Sequence, residues 1–167
     1  MKAAGFLCLL LAVTSCRSAP PVIQPETIRD EEIHVEAVRT ETVDSEDEAA
    51  VFHFNRGNMH AGNYDYDLAL EEYTAAIRLD PAFSWAYFRR ADVHFADQSF
   101  QRALDDYTAA ISFRPDFAEA FFNRGVVHYN NGNVYKAIDD WEAALRIEPD
   151  NVSARQNIEV ARRQLEN

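Results

Sequence analysis

The stretch ALDDYTAAISFRP, residues 103–115, has two near copies: ALEEYTAAIRLDP at 69–81 and AIDDWEAALRIEP at 137–149. Successive copies start 34 residues apart, since 103 − 69 and 137 − 103 both give 34. Laid over one another they align Ala69 with Ala103 and Ala137, Tyr73 with Tyr107 and Trp141, Ala76 with Ala110 and Ala144, and Pro81 with Pro115 and Pro149. The same period continues upstream of each copy. NRGNMH (55–60), RRADVH (89–94) and NRGVVH (123–128) place a small residue at Gly57, Ala91 and Gly125 and a histidine at 60, 94 and 128. Several columns agreeing at one period identify a stack of equivalent supersecondary units.

The content of one unit follows from where its residues fall. Asp65, Ser99 and Asn133 occupy equivalent places and are good N-cap types, so each is expected to open a second helix after a tight link. The prolines come where that helix must stop, because proline lacks an amide and its ring excludes a further helical turn. Gly57, Ala91 and Gly125, with the Ala69, Ala103 and Ala137 column, are small where two antiparallel helices approach closely. After the third unit, Ala154, Ile158, Ala161 and Leu165 form one apolar stripe on an otherwise polar helix, as a terminal cap requires.

This pattern resembles the tetratricopeptide repeat, whose signature runs Trp-x2-Leu-Gly-x2-Tyr, then Ala-x3-Phe, then Pro over 34 residues. The first segment is Tyr87-x2-Arg90-Ala91-x2-His94 in one unit and Phe121-x2-Arg124-Gly125-x2-His128 in the next. The second is Ala103-x3-Tyr107 and Ala137-x3-Trp141. Arg replaces the signature Leu at 56, 90 and 124, and His replaces Tyr at 60, 94 and 128. The resemblance implies an all-α fold: three helix-turn-helix units at 46–83, 84–117 and 118–151 and a capping helix at 152–167, forming a right-handed superhelical solenoid.

The N-terminal third reads differently. MKAAGFLCLLLAVTSC carries Lys2 and then an uncharged apolar run of 13 residues from Ala3 to Ser15. That is short of the ~20 needed to span a bilayer and has the proportions of a signal peptide. Val13-Thr14-Ser15-Cys16 resembles the lipobox of bacterial lipoproteins, which implies cleavage after residue 15 and acylation of Cys16 (palmitate included). Ordinary secretion and an uncleaved anchor are the competing readings. With Cys8 removed and Cys16 acylated, the folded part holds no thiol, so it has no disulfide or cysteine nucleophile. Residues 16–45 are expected to be an acidic flexible tether: positions 17–49 hold ten acids and three arginines, with prolines at 20, 21 and 25. Ser45 and Glu48 form a capping-box pattern that puts the first helix start near Glu46. The whole chain has a formal charge of −12, with 28 acidic and 16 basic residues, which disfavours nucleic acid and anionic membrane surfaces as ligands.

Two sets of residues invite a catalytic reading and lose it. His60, His94 and His128 stand on successive units, at least a helix-packing distance of ~8–10 Å apart, whereas a zinc ligand sits ~2.1 Å from the ion. They are expected to be packed, hydrogen-bonded rings. His53 with His60 is the one two-histidine pair, and it lacks the HExxH context. The double acids Glu71-Glu72, Asp105-Asp106 and Asp139-Asp140 cannot face each other within a pair. They are expected on an outer solvated face, with one acid of each pair meeting Arg56, Arg90 or Arg124. No catalytic site, metal or cofactor is expected.

The resemblance points instead to a concave groove lined by the first helix of each unit. Carried over residue by residue, its partner-binding positions are Phe54 and Asn58, then Trp85, Phe88, Asp92 and Phe95, then Phe122, Val126 and Tyr129. Val51, Ala61 and Glu119 fall in the same columns. Phe54, Phe88 and Phe122 make an unbroken aromatic column that the repeat does not require. The expectation is a non-enzymatic adaptor that binds a protein segment in this groove. It is held on the extracytoplasmic side of a bacterial envelope by its lipid, on an outer membrane rather than an inner one where the cell has both. Arg17 after the cysteine is not the aspartate of inner-membrane retention. The alternative is a carrier of an apolar small molecule or lipid, acting as a homo-oligomer; a metal enzyme using His53 and His60 is a third. The tether or a second copy of the chain are the competing occupants of the groove.

Overall fold

The computed structural model describes secondary structure over residues 34–166, with side chains from Glu46 onward. The expected signal sequence, Cys16 and the expected tether up to residue 33 lie outside the described residues. Seven helices run through the described residues: α1 (His34–Gly62), α2 (Tyr66–Leu79), α3 (Ser84–Ala96), α4 (Phe100–Phe113), α5 (Ala118–Asn130), α6 (Val134–Ile147) and α7 (Val152–Glu166). They pack as consecutive neighbours, α1 with α2, α3 with α4 and α5 with α6, and α7 closes onto α6. α2 packs on α3 and α4 on α5 between pairs, and α1 also touches α3, so each pair contacts the pair next to it, as in a repeat array.

The small-residue columns are small for the expected reason. Ala69, Ala103 and Ala137 have no exposed surface. A Cβ on Gly57 would stand 2.5 Å from the Tyr73 ring, and one on Gly125 would stand 2.7 Å from the Trp141 indole nitrogen. Around them the core forms seam by seam. Phe88, Tyr107 and Phe117 are at most 5% exposed and join Ala91, Ala103 and Ala120 in the largest cluster. Each ring of this size buried in full contributes about 1.5–3 kcal/mol.

Two expectations are corrected at the helix ends. The first concerns α1, which begins at His34, twelve residues before Glu46, so residues 34–45 of the expected tether are helical. Ser45 lies inside the helix and opens nothing. The reason lies in composition: between Pro25 and Gly57 the chain has neither proline nor glycine, so nothing interrupts the helix once formed. The second concerns Asp65, Ser99 and Asn133. They do precede α2, α4 and α6, but their side chains make no cap bond. Their backbone amides instead donate to the carbonyls of His60, His94 and His128 at 2.8–2.9 Å. One residue earlier, Tyr64, Gln98 and Gly132 donate to Ala61, Phe95 and Tyr129 at 3.0–3.1 Å. Each link is therefore a Schellman closure of the preceding helix, and its last residue has no freedom to aim a side chain at the next one. This closure needs a left-handed residue. Gly132 takes φ 77° without a Cβ, while Tyr64 (64°) and Gln98 (59°) adopt the same region as L-residues.

The prolines stand where expected, two residues beyond the last residue of α2, α4 and α6. At the end of the array Asn151 replaces the aromatic that stands at Phe83 and Phe117, and its Oδ1 accepts from the Ala154 amide at 2.9 Å. There the side-chain cap is real, and the helix it starts is the expected capping helix, with Ala154, Ile158 and Ala161 buried; Leu165, the fourth residue of the expected stripe, is 41% exposed.

Candidate functional site

The phenylalanine column does not line a groove as expected. Phe88 is 5% exposed and belongs to the core, with Phe117 at 4.8 Å and Tyr107 at 5.8 Å between ring centroids. Phe54 meets Phe83 at 5.0 Å and Tyr73 at 6.0 Å, half-buried. Phe122 is also half-buried and packs on the Trp141 cluster. The rings turn into the seams because the N-cap residue of the next first helix, Phe83 before α3 or Phe117 before α5, is an aromatic that covers them. Asn151 ends that series, which leaves Phe122 without an equivalent cover.

The remaining groove positions come together in a different way. Three clefts open between a helix pair and the first helix of the next, and their linings differ by the 34-residue period. The first, about 550 Å³, includes Asn58, Ala61, Tyr73, Arg89 and Asp92. The second, about 100 Å³, has Asp92, Phe95, Tyr107, Asn123 and Val126 in the same columns. The third, about 190 Å³, has Val126, Tyr129, Trp141, Asn157 and Val160. Ala61 stands where the other clefts have Phe95 and Tyr129, and the first cleft is the largest of the three. Charge is lost along the series, from an amide, a guanidinium and a carboxylate in the first to one amide, two valines and two rings in the third.

Asp92 is the shared wall of the first two clefts. It accepts from the Tyr107 hydroxyl at 2.6 Å, from Asn123 Nδ2 at 3.1 Å and from Arg89 at 3.3 Å. Burial raises its pKa, and these donors pull the other way. Burial likewise pushes the Tyr73 hydroxyl up to about 12, and that hydroxyl donates to Asn58 at 2.9 Å. Tyr129 donates to Gln164 at 2.7 Å, and the Trp141 indole donates to the Phe122 carbonyl at 3.1 Å. Trp85 is half-buried against Phe117, 4.5 Å between centroids, and Phe95 lies 6.0 Å from Phe100. Val51 and Glu119 are exposed. The column 89, 123 and 157, polar in every unit, is the part of this surface that reading the first-helix columns missed. Its 34-residue period was the available signal.

The acids and histidines form a structural ladder behind the clefts. Arg90 grips Asp106 with two bonds of 2.7 and 2.8 Å and donates to Thr74 at 3.0 Å. Arg124 repeats this with Asp140 at 2.7 and 2.9 Å and Thr108 at 3.1 Å. Arg56 meets Glu72 at 3.0 Å, and His53 lies 2.6 Å from the same carboxylate rather than pairing with His60. One acid per pair thus meets the arginine column as expected. The outer-face expectation holds for Glu71, Asp105 and Asp139, which are exposed. It fails for Asp106 and Asp140, which are buried, because the bidentate arginine compensates their desolvation.

His94 and His128 approach Asp106 and Asp140 only to 3.8 and 4.0 Å, and His60 stands 3.9 Å from Asp65. The Nδ1 atoms of all three are buried without a hydrogen-bond partner, which corrects the expectation of hydrogen-bonded rings. The arginines occupy the near lone pairs of the carboxylates. Burial depresses the pKa of His94 and His128, partly offset by those carboxylates. Among the described residues no three potential ligands gather as a metal site.

Comparison with known proteins agrees with this architecture. Tetratricopeptide repeat models match residues 50–83 and 118–151, and a TPR repeat model matches 91–132. No curated protein matches the chain by sequence. Among solved structures, the Arabidopsis OM64 TPR domain is 27% identical with a TM-score of 0.69, covering 71% of this chain and 98% of that one. The second TPR domain of human RPAP3, in complex with the HSP70 peptide SGPTIEEVD, is 27% identical with a TM-score of 0.65, covering 72% and 98%. MamA, 23% identical with a TM-score of 0.69 over 78% of this chain and 77% of that one, shares the fold.

Proposed function

We propose that this chain, a tetratricopeptide-repeat protein, is a non-enzymatic adaptor that holds an extended segment of a partner protein across its three inter-repeat clefts. The observation that supports this most is the recurrence of those clefts at the 34-residue period, one per inter-repeat seam, which suits a ligand that is itself a chain rather than a compact molecule. The RPAP3 domain binds a peptide ending in EEVD. In this chain the cleft arginine, Arg89, is already paired with Asp92, and the exposed Glu119 adds negative charge, so the segment bound is uncharged or basic, with its apolar end at Tyr129 and Val160. The carrier alternative has less support. The apolar cleft, at about 190 Å³, falls below the ~300 Å³ of ordinary ligand pockets, and the larger one is lined by charge.

The reading includes a lipid anchor at Cys16, placing the array outside the cytoplasm on the periplasmic face of an outer membrane where the cell has one. It rests on residues 1–16, and no described helix is long and apolar enough to cross a membrane. Arg89→Glu with Val160→Glu tests the clefts, since both side chains are exposed and the fold should survive. The variant should lose the partner that the native chain co-purifies from membrane extracts; retention of the same partner would remove the clefts as the site. Cys16→Ala should release the protein from membranes, and a variant that stays membrane-bound would remove the anchor.

A further inference from the structure

The edge of the array that α1 presents is unlike the internal edges. In α3, α5 and α7 two columns close each first helix onto the preceding pair: Ala86 and Val93, Ala120 and Val127, Ala154 and Ala161, all at most 4% exposed. The equivalent residues of α1 are Phe52 and Met59, and they are 58% and 55% exposed. The arginine column says the same. Arg90 and Arg124 each reach a threonine of the preceding pair, whereas Arg56 has Glu72 and, at 5.8 Å, the ring of Phe52. Among the described residues no helix precedes α1. The opposite edge is finished differently, with Arg155, Gln156 and Glu159 of α7 exposed. α7 also exposes Val152, Val160 and Leu165, so what sets the α1 edge apart is that large apolar side chains stand in the two columns that are closed at every internal edge.

Each internal edge is covered by a helix of 14 residues: α2, α4 or α6. The stretch between Cys16 and α1 has prolines at 20, 21 and 25 and so contains no proline-free run of that length. For a cover supplied by another molecule, the charge along α1 indicates which. Residues 34–48 hold six acids and one arginine, while 49–62 hold no acid, one arginine and two histidines. α1 has 29 residues against 14 in α2, about 43 Å against about 21 Å, so its acidic half extends beyond its own helix pair.

We propose that a second copy of this chain covers the edge, α1 against α1 in antiparallel order. The acidic half of each then lies along the Arg56 half of the other, and Phe52 and Met59 of each copy are covered by the N-terminal half of the partner copy's α1. A two-fold arrangement satisfies both open edges at once and closes the assembly. Parallel order would set acid against acid.

Sedimentation of the full chain in a mild detergent tests this. The native chain should be a dimer, and Phe52→Glu with Met59→Glu should weaken it at least ~100-fold, as loss of central apolar anchors does. Helix content should hold, because both side chains are exposed; Phe52→Ser with Met59→Ser provides a gentler pair if the glutamates disturb α1. Rising salt should weaken the native dimer. A native chain that stays monomeric overturns the proposal, as does a dimer that both variants leave intact. Tightening in salt overturns the antiparallel order. The cleft variant Arg89→Glu with Val160→Glu should dimerise normally; if it does not, the second copy sits in the clefts and the edge is not the interface.

Discussion

Alanine in place of Gly125 and alanine in place of Gly62 are the same chemical change in two helices, and they are expected to act in opposite directions. On helix propensity alone each would stabilise by about 0.8–1 kcal/mol, somewhat less for Gly62 at the end of α1. At Gly62 nothing lies within 4 Å of the new methyl, so a gain of roughly 0.5 kcal/mol should appear. At Gly125 the methyl would stand 2.7 and 2.8 Å from the Trp141 ring and 3.2 Å from the Ala137 carbonyl. Trp141 is 2% exposed and its indole is held by the Phe122 carbonyl, so the ring has nowhere to swing. Overpacking costs about 1–3 kcal/mol, and losing the indole bond costs about 0.5–1.5 kcal/mol more. Net of propensity, Gly125→Ala should destabilise by about 2 kcal/mol, a fall in Tm of roughly 5–10 °C. Thermal and denaturant unfolding followed by circular dichroism, at one fixed protein concentration, would measure both. The second unit already combines Ala91 with Tyr107, so adding Trp141→Tyr to Gly125→Ala should restore part of the loss, with a coupling of about 1 kcal/mol. If Gly125→Ala stabilises as Gly62→Ala does, the small-residue column does not owe its composition to close approach.

Other perturbations separate the remaining interactions. Asp106→Ala leaves the half-buried Arg90 guanidinium with only Thr74 and should cost about 2–4 kcal/mol in denaturant unfolding, whereas Glu72→Ala, beside the far more exposed Arg56, should cost about 1 kcal/mol or less. Gln98→Gly should stabilise by about 0.5–1 kcal/mol by relieving a left-handed L-residue, read as a rise in denaturant midpoint. Phe88→Ala should cost about 3–5 kcal/mol, because that ring is core rather than groove, so loss of partner binding in it would report unfolding. His94 and His128 have depressed pKa values in the fold, so acid favours the unfolded chain, where each ring binds its proton readily. Their contribution is complete above about pH 6.5 and declines as pH falls below it. A double His94→Gln, His128→Gln variant should lose less stability than the native chain between pH 6.5 and 5 in the same unfolding assay.

How much could be read in advance depended on whether a residue acts through its period or through its neighbours. The 34-residue columns located the helix pairs, the prolines that end them and the terminal cap, and they set one acid of each pair against the arginines. They left open which acid that was. Only the packing of α3 on α4 and α5 on α6 distinguishes buried Asp106 and Asp140 from exposed Asp105 and Asp139.

The sequence by itself determined a repeating unit, because period, small residues and helix breakers act locally or between adjacent helices and so survive in one dimension. What only the tertiary structure decided is which way the side chains in those columns face. The phenylalanines turn into the seams where the N-cap of the next first helix supplies Phe83 or Phe117, the histidines are buried without a partner for Nδ1, and Asp65, Ser99 and Asn133 close the helix before them instead of capping the one after. The physical reason is that each outcome depends on what the packed chain places opposite the residue: the start of the next first helix for the phenylalanines, the partner helix of the same pair for the histidines, and the last turn of the preceding helix for the links. Phe52 and Met59, which have no preceding unit among the described residues, remain open where their counterparts in α3, α5 and α7 are buried.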